Sequence, residues 1–426
     1  MGYKTTLCDV SLDGGHYGIA APAVDFKPEL PAYLRITDIN DDGTLNSSDR
    51  KSVDDPSAGN YLLHEGDIVF ARTGNSTGRN YYYDPRDGEY AYAGFLIKFS
   101  LDPRKINPRY MKYYAQSKQY WDWVSSFNTG STRGNINAKT YASMPIDLPS
   151  RQIQDGIVAI CNAIDDKIRI NRQLNDYLLE LATVRFEQEL VKESKTYRFS
   201  ELIELEDSKR VPLNSRDRKV RKGSYPYYGA TSIMDYVDDY LFDGIRVLLG
   251  EDGTVIREDG KPVLQYVWDK YWVNNHAHIL KSKADYSLEA IYIALARTTI
   301  NHIVTGAVQM KISQKNLNDL ELEMPTASSL DYLEDIFALY RSKAEESKKL
   351  GILRDALLPK LMSGEIDASK VDLTQLTNNH LSGCGSFCSV CCPSGLASEF
   401  HEWFRERFFF GYGHLCKADL GWEDLP

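Results

Sequence analysis

The chain has 426 residues, 42% hydrophobic and 26% charged, with a net charge of −10. That length suits two or three domains, and the composition is that of globular protein. The acid excess excludes a uniformly basic coat, though not a local basic patch, and the lack of any run of about eighteen apolar residues excludes a membrane-spanning helix.

At the N-terminus, MGYKTTLCDVSLDGG has no apolar signal core. Gly2 and Thr6 meet the bare myristoylation pattern, which is too short to carry weight. Cys8 and Cys161 are the only cysteines before a crowded tail, which predicts a reducing, cytoplasmic setting.

Residues 1–149 read as a mixed α/β domain, with strands over 67–71 and 94–99 and an aromatic-rich helix over 107–127. Residues 150–194 form a first spacer segment. Ile153, Ile157, Ile160, Ile164, Ile168, Leu174, Leu178 and Leu181 keep a three-and-four spacing, and this predicts a helix over 150–193. At 1.5 Å per residue it is roughly 60 Å long, too long to bury itself in one small domain. Polar Asn171 interrupts its apolar face, a device that can fix register. A second mixed domain spans 195–325, with strands expected at 245–250 and 273–280 and a helix at 288–303. Residues 326–366 form the second spacer. Leu330, Leu333, Phe337, Tyr340, Leu350, Leu353, Leu357 and Leu361 predict a helix over 328–363, with Ser328 as its N-cap and Gly364 just past its end. Residues 367–426 read as a linker and a cysteine-rich tail.

The chain also repeats itself. Residues 129–149, TGSTRGNINAKTYASMPIDLP, return 176 residues later as TGAVQMKISQKNLNDLELEMP. Thr129, Gly130, Ile136, Lys139 and Pro149 fall on Thr305, Gly306, Ile312, Lys315 and Pro325 without a gap, and each block runs into a long helix. The predicted fold is therefore α+β: two mixed α/β domains joined by two long antiparallel coiled-coil helices, with an internal pseudo-two-fold repeat. A duplicated module suits a partner that is itself two-fold, such as duplex DNA with two half-sites.

Catalysis finds little support. There is no phosphate loop, no nucleophile elbow, no amino-methyltransferase tetrad and no glycine-rich cofactor motif. Glu251-Asp252 with Lys261 comes nearest to a nuclease cluster, but the hairpin sequence EDGTVIREDGK explains these residues as turn formers. The expectation is a non-catalytic chain that binds no metal.

Binding has more. Residues 208–223 carry Lys209, Arg210, Arg216, Arg218, Lys219, Arg221 and Lys222 against the single acid Asp217, a set able to neutralise phosphates. A solvated loop explains most of these equally well. Tyr227, Tyr228 and Thr231 follow and can lie along a sugar-phosphate backbone. In the first half Arg72, Thr73, Asn75, Ser76, Thr77, Arg79 and Tyr81 follow a predicted strand and mix the donors and acceptors that read base edges. The repeated block adds Ser131, Thr132 and Arg133 in one copy, with Asn135 beside them, and Gln309 and Lys311 in the other. Asn274, Asn275, His276 and His278 are explained as well by strand-end hydrogen bonding.

Together these features resemble the specificity subunit of type I restriction–modification systems, over about residues 1–366. The resemblance rests on Glu65–Gly74, on Thr129-Gly130-Ser131, and on Leu148-Pro149 followed by Gln154, Ile157 and Val158. It extends through Tyr227–Thr231, Val237–Tyr240 and Val247–Gly250 to the closing segment Leu357–Ile366. It implies two target-recognition domains, 1–149 and 195–325, each reading half of a gapped DNA site, and two conserved spacer helices that set the gap. It also implies docking of two methyltransferase subunits, which carry S-adenosylmethionine, and of a restriction (motor) subunit using ATP and Mg. The chain itself would bind no cofactor. Two departures stand out: the chain starts almost at the first recognition domain, and the tail 377–426 lies outside the pattern. That tail holds Cys388-Ser-Val-Cys391 at zinc-ligand spacing without a second well-spaced pair. The competing reading is a coiled-coil scaffold whose heads bind protein.

Overall fold

The computed structural model describes residues 2–46, 49–127, 134–283, 285–306 and 309–370. The tail, together with Ser131, Thr132 and Arg133, lies outside the described residues. The chain divides into two compact units, with boundaries between Asp166 and Lys167 and between Leu350 and Gly351, so each unit holds a stretch of both long helices.

Unit 1 contains in chain order β1 (Tyr3–Thr6), β2 (His16–Tyr17), β3 (Ala23–Asp25), β4 (Ala32–Leu34), β5 (Lys51–Val53), β6 (Asp67–Ala71), β7 (Asn80–Tyr82), β8 (Tyr90–Tyr92), β9 (Leu96–Ser100), α1 (Pro108–Tyr114), α2 (Lys118–Ser125), α3 (Ala138–Ala142) and β10 (Pro145–Leu148), and then enters α4 (Arg151–Lys192). Unit 2 continues with β11 (Lys195–Arg198), α5 (Phe199–Leu202), β12 (Ile203–Leu205), α6 (Ser215–Val220), β13 (Lys222–Tyr228), β14 (Ile233–Val237), β15 (Phe242–Asp243), β16 (Arg246–Gly250), β17 (Leu264–Val267), β18 (Lys270–Val273) and β19 (Ala277–Ser282). It goes on with α7 (Leu288–Arg297), β20 (Val304–Thr305), β21 (Lys311–Ile312), α8 (Gln314–Asn318) and β22 (Glu321–Met324), and then enters α9 (Tyr332–Ser363), whose residues from Gly351 on belong to unit 1.

The two units share one plan. Each has a four-stranded antiparallel sheet, β2-β9-β6-β7 in unit 1 and β12-β19-β16-β17 in unit 2. Each has a second four-stranded sheet containing one parallel pair, β4 with β8 and β13 with β18. Each is tied off by a two-stranded ladder, β1 with β10 and β11 with β22. The central strand β6 is buried along its whole length and sorts its side chains by alternation. Ile68 and Phe70 join the core that contains Tyr110, Tyr120 and Tyr141, while Val69 and Ala71 face the second sheet. In unit 2, Val247 and Leu249 pack with Ile291 and Phe186, and Leu248 packs with Phe242 and Tyr271.

The gapless repeat maps onto structure at the same spacing: α3 and α8, and likewise β10 and β22, lie 176 residues apart. Both short helices are capped by the residue before them. Asn137 accepts the Thr140 N–H at 2.9 Å, and Ser313 accepts the Asn316 N–H at 3.2 Å.

The long helices run antiparallel within each unit. In unit 2, Asn171 donates to Glu346 at 3.1 Å and Asn175 donates to the Tyr340 carbonyl at 3.2 Å, while Ala182 and Phe186 share a core with Leu333 and Phe337. In unit 1, Ile157 and Cys161 pack with Leu358 and Leu361, and Arg354 meets Asp165 at 3.1 Å. Burial pushes the Asp165 carboxyl up, but Lys112 and Arg354 outweigh it and hold it below the usual carboxylate range.

Four expected elements change shape. The helix expected over 107–127 breaks into α1 and α2, because Ser117 caps α2 by accepting the Tyr120 N–H, and Gln116 reaches away to Asn80. The strand expected over 273–280 splits into β18 and β19 at an Asn-centred turn, where Asn274 accepts the His276 N–H at 2.6 Å. The helix expected over 288–303 ends at Arg297 and is followed by a 3-10 turn at Asn301–Ile303. The second long helix begins at Tyr332 rather than Ser328, because Ala327–Leu330 forms a separate 3-10 turn. Gly364 has φ of +78°, as a residue just past a helix end does.

Candidate nucleic-acid interface

In both units the repeated block docks on the residue that follows the central strand. In unit 1 the Ile136 N–H donates to the Arg72 carbonyl at 2.9 Å, and Thr73 bridges Asn135. In unit 2 the Ile312 N–H donates to the Glu251 carbonyl at 2.9 Å, and Asp252 bridges Lys311. The opposite side of that residue is also pinned alike: Arg72 N–H to Phe95 at 3.0 Å, Glu251 N–H to His276 at 2.8 Å. Arg72 and Glu251 therefore occupy one position of a shared scaffold, with opposite charge.

Around Arg72 the polar loop is tied both to itself and to distant segments. Thr77 donates its hydroxyl to the carbonyls of Gly74 and Gly134, at 2.8 and 2.9 Å. Arg79 is tied to Asp41 at 2.7 Å and to the Ile39 carbonyl. Gly78 turns the chain at φ of +91°, where a Cβ would come within 2.6 Å of Val124. Asn75 is exposed and Ser76 is buried. Tyr81 is a correction to the surface reading: its ring belongs to the core facing the second sheet, and its hydroxyl donates to Asp87 at 2.7 Å.

Around Glu251 the charges are compensated. Arg210 meets Glu251 at 2.7 Å and donates to the Ala277 carbonyl, and Lys311 lies 3.5 Å from Glu251. Buried His278 engages both ring nitrogens, one with Asp207 at 2.6 Å and one donating to the Ile312 carbonyl at 2.9 Å. Asp207 also accepts from the Ile279 N–H and from Gln314. Burial pushes its carboxyl up, but His278 and these donors outweigh that and hold it below the usual range. Asp207, Glu251 and His278 bring potential ligand atoms within 4.8 Å of one another. Those atoms are already engaged by Arg210, Gln314 and Ile312, so the group is a charge-compensated network tying the repeated block to the sheet. Lys261 pairs with Asp259, and Asp252 with His276, so the residues of the nuclease reading do not converge.

The basic strip is largely neutralised, by nearby acids at its start and by acids farther along the chain after it. Lys209 pairs with Glu206, Arg218 and Lys222 with Asp235, and Arg221 with Asp238 and Asp239. Arg216 and Lys219, both exposed, have no ion pair among the described residues. Tyr227 is another correction: it is fully buried, its hydroxyl accepts the Leu213 N–H at 2.9 Å, and Arg218 lies over its ring. Tyr228 is half-buried with its hydroxyl pushed up to about 12 by burial, whereas Thr231, Gln309 and Lys311 are exposed.

Sequence reasoning passed over Tyr17 and Phe95, two exposed aromatics whose rings lie 5.1 and 6.0 Å from the Arg72 guanidinium. Neither sits in a motif. Their signal is spatial, since Tyr17 on β2 and Phe95 just before β9 are 78 positions apart and meet through the pairing of those strands.

The chain is 30% identical over 128 residues to the putative type I restriction enzyme specificity subunit S.HindORF215P of Haemophilus influenzae, covering 30% of this chain and 32% of that one. It is 22% identical over 166 residues to the type I restriction enzyme HindI specificity subunit of the same organism, covering 37% and 36%. The aligned stretches thus span about a third of the length of these two relatives. Among solved structures, the type I restriction-modification S subunit of M. genitalium aligns with 85% of this chain and 96% of its own, at 16% identity and a TM-score of 0.47. Residues 33–180 and 191–344 each match the type I restriction modification DNA specificity domain, and with two copies covering most of its length the chain belongs to that family.

Proposed function

We propose that this chain is the sequence-reading subunit of a type I restriction–modification complex, in which each unit reads one half of a bipartite, gapped DNA site. The observation that carries the reading is the pair of family matches lying on two units that share a central sheet order and a tying ladder but differ in their loop residues. A shared scaffold with divergent loops is what a split site requires, since the frame is constant and the bases read are not. Exposed Asn75, Thr231, Gln309 and Lys311 supply donors and acceptors for base edges, and exposed Arg216 and Lys219 supply phosphate contacts. The 42 residues of α4, about 63 Å of helix, set the distance between half-sites.

In this reading the chain is non-catalytic and works in the cytoplasm. Two methyltransferase subunits dock on it and carry S-adenosylmethionine, and a restriction subunit supplies ATP- and Mg-dependent cleavage. Among the described residues no helix is long and apolar enough to cross a membrane.

Long-read methylation mapping tests this, on DNA from cells expressing the chain with and without its neighbouring methyltransferase. A gapped methyladenine motif that appears only with both supports the proposal. A soluble complex that leaves DNA without any motif, and shifts no duplex, favours the scaffold whose heads bind protein.

A further inference from the structure

Arg72 differs from its neighbours in how its charge is used. In unit 1, Arg35, Arg79, Arg86 and Arg104 are each bound to an aspartate. The Arg72 guanidinium makes no ion pair or hydrogen bond among the described residues, and its Nε is buried without a partner. It is nonetheless held. Its backbone is pinned on both sides, to Phe95 and to Ile136. Its guanidinium carbon lies near the rings of Tyr17 and Phe95, which are 42% and 56% exposed. Tyr17 is itself anchored, because its hydroxyl accepts the Ala138 N–H at 3.1 Å and its backbone pairs with Ile97.

An arginine packed beside two aromatic rings has little rotamer freedom left to lose on binding, and its planar fork keeps its terminal N–H groups for a ligand. Such a fork matches the O6 and N7 acceptors of guanine in the major groove. A phosphate needs no planar alignment, and mobile lysines serve it as well. In unit 2 the same position holds Glu251, already neutralised by Arg210 and Lys311.

We propose that Arg72 reads a guanine in the half-site recognised by unit 1, with Tyr17 and Phe95 as its positioning residues, and that unit 2 has no counterpart to this contact. The proposal rests on the DNA-reading function above.

The test uses the full chain with its methyltransferase partner and duplexes carrying the mapped site. Each guanine is replaced in turn by 7-deazaguanine, which keeps base pairing but removes N7. One replacement, in one half-site only, should weaken wild-type binding about tenfold. Arg72→Ala should bind the unmodified site about tenfold more weakly and be indifferent to that replacement. Tyr17→Leu and Phe95→Leu should lose part of the guanine preference while binding unrelated DNA as before. The proposal is overturned if Arg72→Ala still senses the same replacement, if it loses affinity equally on all sequences (a phosphate contact), or if neither half-site contains guanine. Absence of site preference in the wild-type complex would sink the DNA-reading function as well, which separates the two failures.

Discussion

At the end of the central strand, unit 1 places beside two exposed rings a guanidinium with no ion pair among the described residues, and unit 2 places a carboxylate flanked by Arg210 and Lys311. The backbone around both is the same: the repeated block donates to one side and a strand-end carbonyl accepts on the other. The difference continues one layer down. Ile97 pairs with Phe70 in unit 1, where unit 2 pairs His278 with Leu249, so an apolar contact in one unit is a buried polar network in the other. What holds a recognition head together and what it presents are therefore separable, and the second can change sign without the first moving.

The largest expected effect tests the shared part. Ile136 and Ile312 are both fully buried at matched positions of the repeat. Ile136→Ala and Ile312→Ala should each cost about 3 kcal/mol in denaturant unfolding. A loss at only one would break the equivalence. Next comes the divergent layer. His278→Leu strips Asp207 of a buried donor and should cost on the order of 2 kcal/mol, whereas Ile97→Leu should cost less than about 1.5 kcal/mol. Equal losses would mean that the unit 2 network is no more than packing.

Acid sharpens the same contrast. The Asp207 carboxyl is held below its ordinary value in the folded state, so its contribution is complete above the unfolded carboxylate range and fades as pH falls through the lower folded value. Asp207→Asn should lower stability at neutral pH and flatten the acid limb of the stability profile below about pH 4. An unchanged limb, followed by thermal unfolding at stepped pH, would remove Asp207 from the account. The smallest effect concerns charge at the surface. Arg216→Ala with Lys219→Ala should reduce the slope of log affinity against log salt by about 1.8. Arg221→Ala should leave that slope nearly unchanged, since its charge is spent on Asp238 and Asp239.

Much of the frame was legible from the chain. The spacing of apolar residues over 150–193 points to a helix, and α4 runs Arg151–Lys192. The apolar run at 67–71 points to a strand, and β6 occupies those residues. The capping asparagine and serine of α3 and α8 sit at matched places in the repeat. The breaks were harder to see. Ser117 and Asn274 each compete for a neighbouring N–H with the regular ladder, and that competition is decided by which partners the fold brings near. The basic strip misled for a related reason: most of its compensating acids lie in other segments, as far as Asp235 and Glu251.

Periodicity, capping residues and the gapless repeat are local or translational properties, so the sequence alone determined two α/β modules and the helices between them. Which polar side chains end up buried, paired or free depends on contacts between segments tens of residues apart. Only the tertiary structure decided that Tyr81 and Tyr227 belong to the interior, that Arg218 and Arg221 are neutralised, and that Arg72 lies beside Tyr17 and Phe95 with no ion pair among the described residues. The physical reason is that the free energy of a charge is set by its neighbours in space, which sequence distance does not record.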